Sequence, residues 1–447
     1  MTLRSLAFSN IRGNWRSYGA FFMSSVFSVM IFYMYAAFVA HPDLASEASK
    51  VRVGMVLCQF VIVMFSFWFV LYANSAFLRS RRKEFGLFFM FGMTRMQLRR
   101  LIVYEGILIA LAAIAAGIGL GIFFSKPFLM TLAVLLGMKD SIAVAVPLDA
   151  LWMTAGGFFI LFISISIVKA LQLARLEITE LLQLTDEEEE RTPHSPSLAW
   201  LAIAALAASY GMALVLNAAN FNRLAPIILL LAIAGTYLLF TRFSEQLLRF
   251  IIGSSSIYYY RTNMIVLAQL GLKLKKNARM LFAVSILSAI IVTASGTVYM
   301  LGLAVQLDNV QTQYEDPQGI ISLTMFIGAF ISFLFFIASG SMIYFKLFTD
   351  LQEDQSEYKA LTLVGITPAE LRTIISMQVG MLFFAPCLVG IIHALFALKA
   401  LDNLLMVSNW LYSFVIIGIY IGLQTIYFLV ACHSYMKSIS LTKGSLK

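Results

Sequence analysis

Ten stretches of the chain are long enough to cross a bilayer and almost free of charge: residues 17–40, 53–78, 101–125, 148–168, 197–217, 224–241, 280–303, 320–345, 374–398 and 404–432. A helix needs about 20 apolar residues to span the hydrocarbon core, and a central Asp, Lys or Arg costs roughly 2.5–3.5 kcal/mol to insert. Glu105 is the main exception, and its place near a helix end lets it reach water. With 60% hydrophobic and 12% charged residues among 447, a soluble fold would lack polar cover for its surface. Cys58, Cys387 and Cys432 all sit in apolar runs, where they read as buried thiols and not as a disulfide framework. The expected fold class is an all-α polytopic membrane protein.

The loops set its orientation. With the N-terminus inside, the inner segments hold 26 of the 32 basic residues and the outer ones 6. That bias places both termini in the cytoplasm. The net charge of +9 is explained by inner loops beside anionic lipid headgroups and needs no nucleic-acid partner. The first run is too long for a signal-peptide core and is expected to be retained. Residues 127–138, apolar but short and opened by Pro127, read as an interfacial or re-entrant outer piece. Tyr35, Phe38 and Tyr258–Tyr260 suit an interfacial aromatic belt.

An internal repeat organises the chain. After the second run comes Glu84-Phe-Gly-Leu-Phe-Phe-Met-Phe-Gly92-Met-Thr94-Arg95-Met-Gln-Leu98-Arg99, and after the eighth comes Glu357-Tyr-Lys-Ala-Leu-Thr-Leu-Val-Gly365-Ile-Thr367-Pro368-Ala-Glu-Leu371-Arg372. Glu, Gly, Thr, Leu and Arg match at one constant offset. Each half also opens on an amphipathic stretch. Leu3, Leu6, Ala7 and Ile11 share one helical face, and 263–276 offers Leu267, Ala268, Leu270 and Leu274. Both read as helices lying along the inner surface with Lys and Arg toward the headgroups. Runs 1–4 and 7–10 are therefore expected to be copies. An even number of crossings between them makes the repeat parallel, a 4+2+4 arrangement. The domain boundaries expected are 1–170, 171–262 and 263–447.

The repeated element reads as a helix, a turn and a second helix. Gly92 and Gly365 supply a turn conformation that other residues resist, Thr94 and Thr367 can cap the following helix, and Pro368 falls at its first position, where no N–H is needed. Such a rigid corner transmits force to the attached spans. Gly117–Gly121 and Gly418–Gly422 are small-x-x-x-small pairs expected to be packing seams.

The corner motif, continuing into Glu105-Gly106 and the Gly117/Gly119/Gly121 helix, resembles the FtsX-like permease superfamily of ABC transporters. The ten runs and paired amphipathic openers are most similar to its BceB-like, bacitracin-resistance branch. In the second copy Gln378 stands at the Glu105 position. The resemblance implies a multi-pass subunit of the bacterial plasma membrane, without catalysis or cofactor of its own, served by a separate ATPase that binds ATP and Mg. Since one chain supplies both corners, two ATPase copies per permease are expected. Glu84, Gly92, Thr94, Arg95, Glu357, Gly365, Thr367 and Pro368 are the expected ATPase-coupling residues. The client implied is an antimicrobial peptide, or the lipid-linked wall precursor that it captures. That branch usually carries a large outer domain between helices seven and eight, where this chain has only 304–319.

Other chemistry finds little footing. There is no G-x-x-x-x-G-K-[ST] phosphate loop, no His-Glu-x-x-His spacing and no grouped nucleophile and base. Ionisable groups at mid-bilayer, which a secondary transporter or channel would need, are nearly absent. The rival reading is a membrane sensor that controls a histidine kinase, with the acidic run 186–190 as a docking segment.

Overall fold

The computed structural model describes residues 3–13, 15–41, 52–135, 146–173, 196–244, 246–247, 263–306, 317–405 and 410–441. The acidic run 186–190, residues 307–316 of the expected outer loop and Tyr258–Tyr260 lie outside them. The described residues form helices and no strand: α1 Leu3–Gly13, α2 Trp15–Val39, α3 Arg52–Ser80, α4 Arg82–Met90, α5 Arg95–Leu135, α6 Leu148–Leu173, α7 Pro196–Leu214, α8 Phe221–Leu238, α9 Asn263–Gln306, α10 Pro317–Thr349, α11 Leu351–Leu363, α12 Pro368–Leu405 and α13 Trp410–Leu441. Nine helical stretches among the described residues are long and apolar enough to cross a membrane, and α3 holds a shorter one, Ile62–Ser75. This is a polytopic helical protein.

Two departures from the sequence reading concern segmentation. Residues 127–135 do not form a separate outer piece, because α5 continues through Pro127 as one helix. The neighbouring turns of a long helix hold the proline in place, although it removes one backbone donor. The ninth stretch likewise runs unbroken to Leu405. Tyr35 and Phe38 are buried and in ring contact, 5.8 Å apart, so they are core residues and not a belt.

The chain forms two compact units, residues 1–190 with 318–327, and residues 191–317 with 328–447. In the first, α2 packs against α3, α5 and α6, while α1 lies on α5. In the second, α9 packs against α12 and α13, and α12 against α13 and α7. The same device brings helices together in each. A methyl group added at Gly117 of α5 would lie 2.6 Å from Val29 Cβ and 2.9 Å from the Val26 carbonyl oxygen on α2. At Gly390 of α12 it would lie 2.4 Å from Ser288 Cβ and 2.8 Å from the Ser285 carbonyl oxygen on α9. Only glycine permits so close a backbone approach. Gly121 meets Tyr33 in the same seam, whereas Gly418 and Gly422 face open space and are not a seam.

Helices α7 and α8 form a hairpin whose turn is closed by Asn217 and Asn220, each accepting the other's backbone N–H at 2.8 and 3.0 Å. His393 of α12 fastens this hairpin to its unit. Thr236 Oγ1 donates to the Ala232 carbonyl at 2.5 Å, so it accepts from His393 Nε2 at 2.7 Å. Nδ1 is left to accept the Tyr210 hydroxyl at 2.8 Å. A neutral imidazole, satisfied on both nitrogens, thereby joins three helices inside apolar surroundings.

Candidate functional site

Each expected corner is present, and the two have the same backbone. Two residues beyond the end of α4 lies Gly92 at φ 85°, and two beyond the end of α11 lies Gly365 at φ 102°. Gly92 N–H bonds the Phe89 carbonyl at 2.9 Å and Met93 N–H bonds Phe88 at 3.0 Å. Gly365 N–H bonds Thr362 and Ile366 N–H bonds Leu361, both at 3.2 Å. This paired closure satisfies the last carbonyls of each helix and requires a left-handed residue at the position both glycines occupy. A Cβ at either glycine would meet no atom within 4 Å, so the requirement comes from the backbone and not from crowding.

One residue further on, the next helix starts in matched fashion. Thr94 Oγ1 accepts Gln97 N–H at 3.3 Å while Gln97 Oε1 accepts Thr94 N–H at 2.8 Å. Thr367 Oγ1 accepts Glu370 N–H at 3.3 Å and Glu370 Oε2 accepts Thr367 N–H at 3.0 Å. These are reciprocal capping boxes. Their second members, Gln97 and Glu370, complete what sequence reading found only half of. Pro368 opens α12, as expected, and Arg95 holds the same place in α5. Thr94→Ala should cost about 1 kcal/mol locally and speed amide exchange at Gln97 in hydrogen-exchange mass spectrometry, leaving amides deep in α5 unchanged.

The tips are apolar and bare. Met90 is 67% and Phe91 84% exposed on the first corner, and Leu363 is 81% and Val364 84% exposed at the equivalent places on the second. Sequence reading missed these pairs because apolar residues are everywhere in this chain. Helices α5 and α12, at about 1.5 Å per residue, are each far longer than a 30 Å core requires.

The roots of the corners are polar and buried. Arg81, 1% exposed, bonds Glu105 of α5 at 2.6 Å and Glu84 at 2.7 Å. Its guanidinium is also stacked within 4.7 Å of the Tyr18 ring centre and 4.9 Å of that of Phe85, which favours a planar delocalised cation. Glu105 accepts from Asn10 of α1 at 2.9 Å. It does not reach water, as its position in sequence implied; it is 2% exposed and neutralised internally. Glu84 is thus an anchoring partner within its own corner.

At the second root the charges are inverted. Asp354 stands where the repeat offset places Arg81, and it accepts from Lys273 Nζ of α9 at 3.0 Å and from the Tyr435 hydroxyl of α13. Lys273 also reaches Tyr358 at 3.2 Å, and Tyr358 donates to Gln378 Oε1 at 2.7 Å. Burial pushes the Tyr358 hydroxyl up to about 12, so it remains a donor. Gln378, in the place of Glu105, bonds Gln269 in turn. Glu357, at the place of Glu84, is exposed. Among the described residues no group of three His, Cys, Asp or Glu side chains is placed to hold a metal ion.

The profile of the FtsX-like permease C-terminal family matches residues 56–178 and again 329–436. The chain belongs to the FtsX-like permease family. The two matches open 273 positions apart, the offset that also relates Glu84 to Glu357 and Gly92 to Gly365. The uncharacterized ABC transporter permease YvcS of Bacillus subtilis is 27% identical, with 98% of this chain and 99% of the relative covered. The ABC transporter permease protein YxdM of the same organism is 28% identical over 98% of this chain and 100% of its own length. The bacitracin export permease protein BceB of B. subtilis is 22% identical over 67% of this chain and 48% of its own length. The comparison with YvcS runs over 643 positions, well beyond the 447 residues of this FtsX-like permease, so the relative carries sequence with no counterpart here.

Proposed function

We propose that this permease is the membrane subunit of an ABC transporter and that its two corners receive force from a separately encoded ATPase. The carrying observation is the pair of rigid corners with one backbone, each presenting a bare apolar pair at its tip and rooted through buried polar contacts in the spanning helices. A tip of that kind fits an apolar recess on a soluble partner. Closure of an ATPase dimer on the corners would tilt the attached helices, because the capped turns leave no slack between tip and span. Two ATPase copies per permease follow from two corners in one chain.

The proposed topology is ten crossings arranged 4+2+4, with both termini and both corners in the cytoplasm. The domains are 1–170, 171–262 and 263–447. The proposed client is a peptide antibiotic, or the lipid-linked wall precursor that such a peptide captures, in keeping with the name of the bacitracin export permease relative. The sequence absent relative to YvcS is assigned to the 304–319 region, so client capture falls to the helices and not to a large outer domain.

Purification of the tagged permease in mild detergent, followed by identification of retained proteins, should recover an ABC ATPase at two copies per permease. Adding the permease in nanodiscs to that ATPase should change its hydrolysis rate severalfold. Recovery of a histidine kinase alone, with no effect on any ATPase, would favour a sensor role over coupling.

A further inference from the structure

The two corners share a backbone but not a charge, and we infer that they grip the ATPase unequally, the first through charge and an aromatic plug, the second through a small aliphatic plug alone. This rests on the coupling role proposed above and adds the chemistry of the docking faces. Residues 81–100 contain six basic side chains and one acidic, whereas the equivalent 354–373 contain two basic and three acidic. Around the first tip, Arg95 and Arg100 are exposed and Arg99 half-buried, and none of the three is paired with a carboxylate among the described residues. Leu87 and Met96, 50% and 55% exposed, widen the apolar face beside Met90 and Phe91. Around the second tip the exposed charges are mixed, Glu357 and Glu370 with Lys359 and Arg372, and only Leu363 and Val364 offer large apolar surface.

The surface that complements the first corner is an apolar recess wide enough for a phenyl ring and rimmed by carboxylates. If the ATPase is one chain used twice, the same acidic rim meets Glu357 and Glu370 at the second corner. There the attraction of Lys359 and Arg372 is offset by repulsion, and apolar burial holds the contact. Charge raises association and is screened by salt, while burial of a few aliphatic atoms is not. The occupant of the first tip is protein and not lipid, because Arg95, Arg99 and Arg100 stand between the tip and the apolar run that begins at 101. A tip seated in the bilayer core would draw three guanidinium groups after it.

The test uses full-length permease in nanodiscs and the ATPase subunit that copurifies with it. One variant blocks the first corner (Met90→Ser and Phe91→Ser with Arg95→Gln and Arg100→Gln), the other the second (Leu363→Ser with Val364→Ser). All six side chains are exposed, and a monodisperse profile with unchanged melting establishes the fold. With only the first corner left, affinity should fall about tenfold between about 50 and about 500 mM NaCl. With only the second corner left, the change should stay within about twofold. Adding Arg95→Gln and Arg100→Gln to the variant that keeps the first corner should flatten its salt dependence. Equal salt dependence at both corners overturns the inference. So does a dependence at the first corner that disappears when anionic lipid is replaced by zwitterionic lipid, since lipid would then be its partner. Failure of the unmodified permease to bind the ATPase at any salt is a separate result, and it removes the coupling role itself.

Discussion

A permease carrying Gly92→Val and Gly365→Val inserts and accumulates like the unmodified protein but no longer responds to its ATPase. Both glycines sit in the left-handed region, at φ 85° and 102°. A side chain with a branched Cβ at such a φ costs about 1–2 kcal/mol or more, and the cheapest relief is to rotate the backbone. Rotation breaks the paired carbonyl closure at Phe88–Phe89 or Leu361–Thr362 and swings the tip away from its partner. Nothing surrounds either Cβ position, so the spans themselves are untouched. The severalfold change in ATP hydrolysis in nanodiscs should be abolished, and Gly→Asn at both sites, which tolerates this φ, should keep most of it. Full stimulation with both valines in place would show that the turns are not the lever.

The largest effect on stability should come from separating Arg81 from Glu105. Both are essentially without solvent, so Arg81→Met leaves the Glu105 carboxylate buried without its cation. Removal of one member of such a pair typically costs about 3–5 kcal/mol, whereas removal of both is often neutral. The neutral exchange is already present in the second copy, where Gln378 occupies the Glu105 position. Arg81→Met combined with Glu105→Gln should therefore recover most of the loss, because the Gln carbonyl still accepts the Asn10 amide. Thermal unfolding in detergent distinguishes the two outcomes. A single Arg81→Met variant that melts with the unmodified protein would mean that the pair is solvated and structurally idle.

The spans were legible because apolar length needs no tertiary context: nine are present among the described residues, with a shorter tenth inside α3. The corners were legible through Gly and Thr, which have few substitutes at a left-handed turn and a cap. What surrounds them was not. Gln97 and Glu370 differ chemically yet perform one task, accepting the cap residue's N–H, so comparison by identity passed over them. Arg81 and Asp354 escaped for the stronger reason that their charges are opposite; only the geometry shows that both root a corner. Glu105 was misplaced because its partner lies 24 residues away, across a turn. Pro127 was misread as a boundary because a long helix tolerates a proline that a short one would not. Gly390 was passed over for Gly418 and Gly422, whose spacing suggested a seam that faces open space.

The inverted roots also bear on how the halves have diverged. Homologous exchange that copied residues 81–100 into 354–373, without the helices that follow, would set an arginine against Lys273, and the reverse exchange would set an aspartate against Glu105. Either recombinant would bury like charges and be lost to selection. Two segments that still bend their backbones identically have thus become mutually incompatible. That incompatibility would let each half specialise without being overwritten by its sibling.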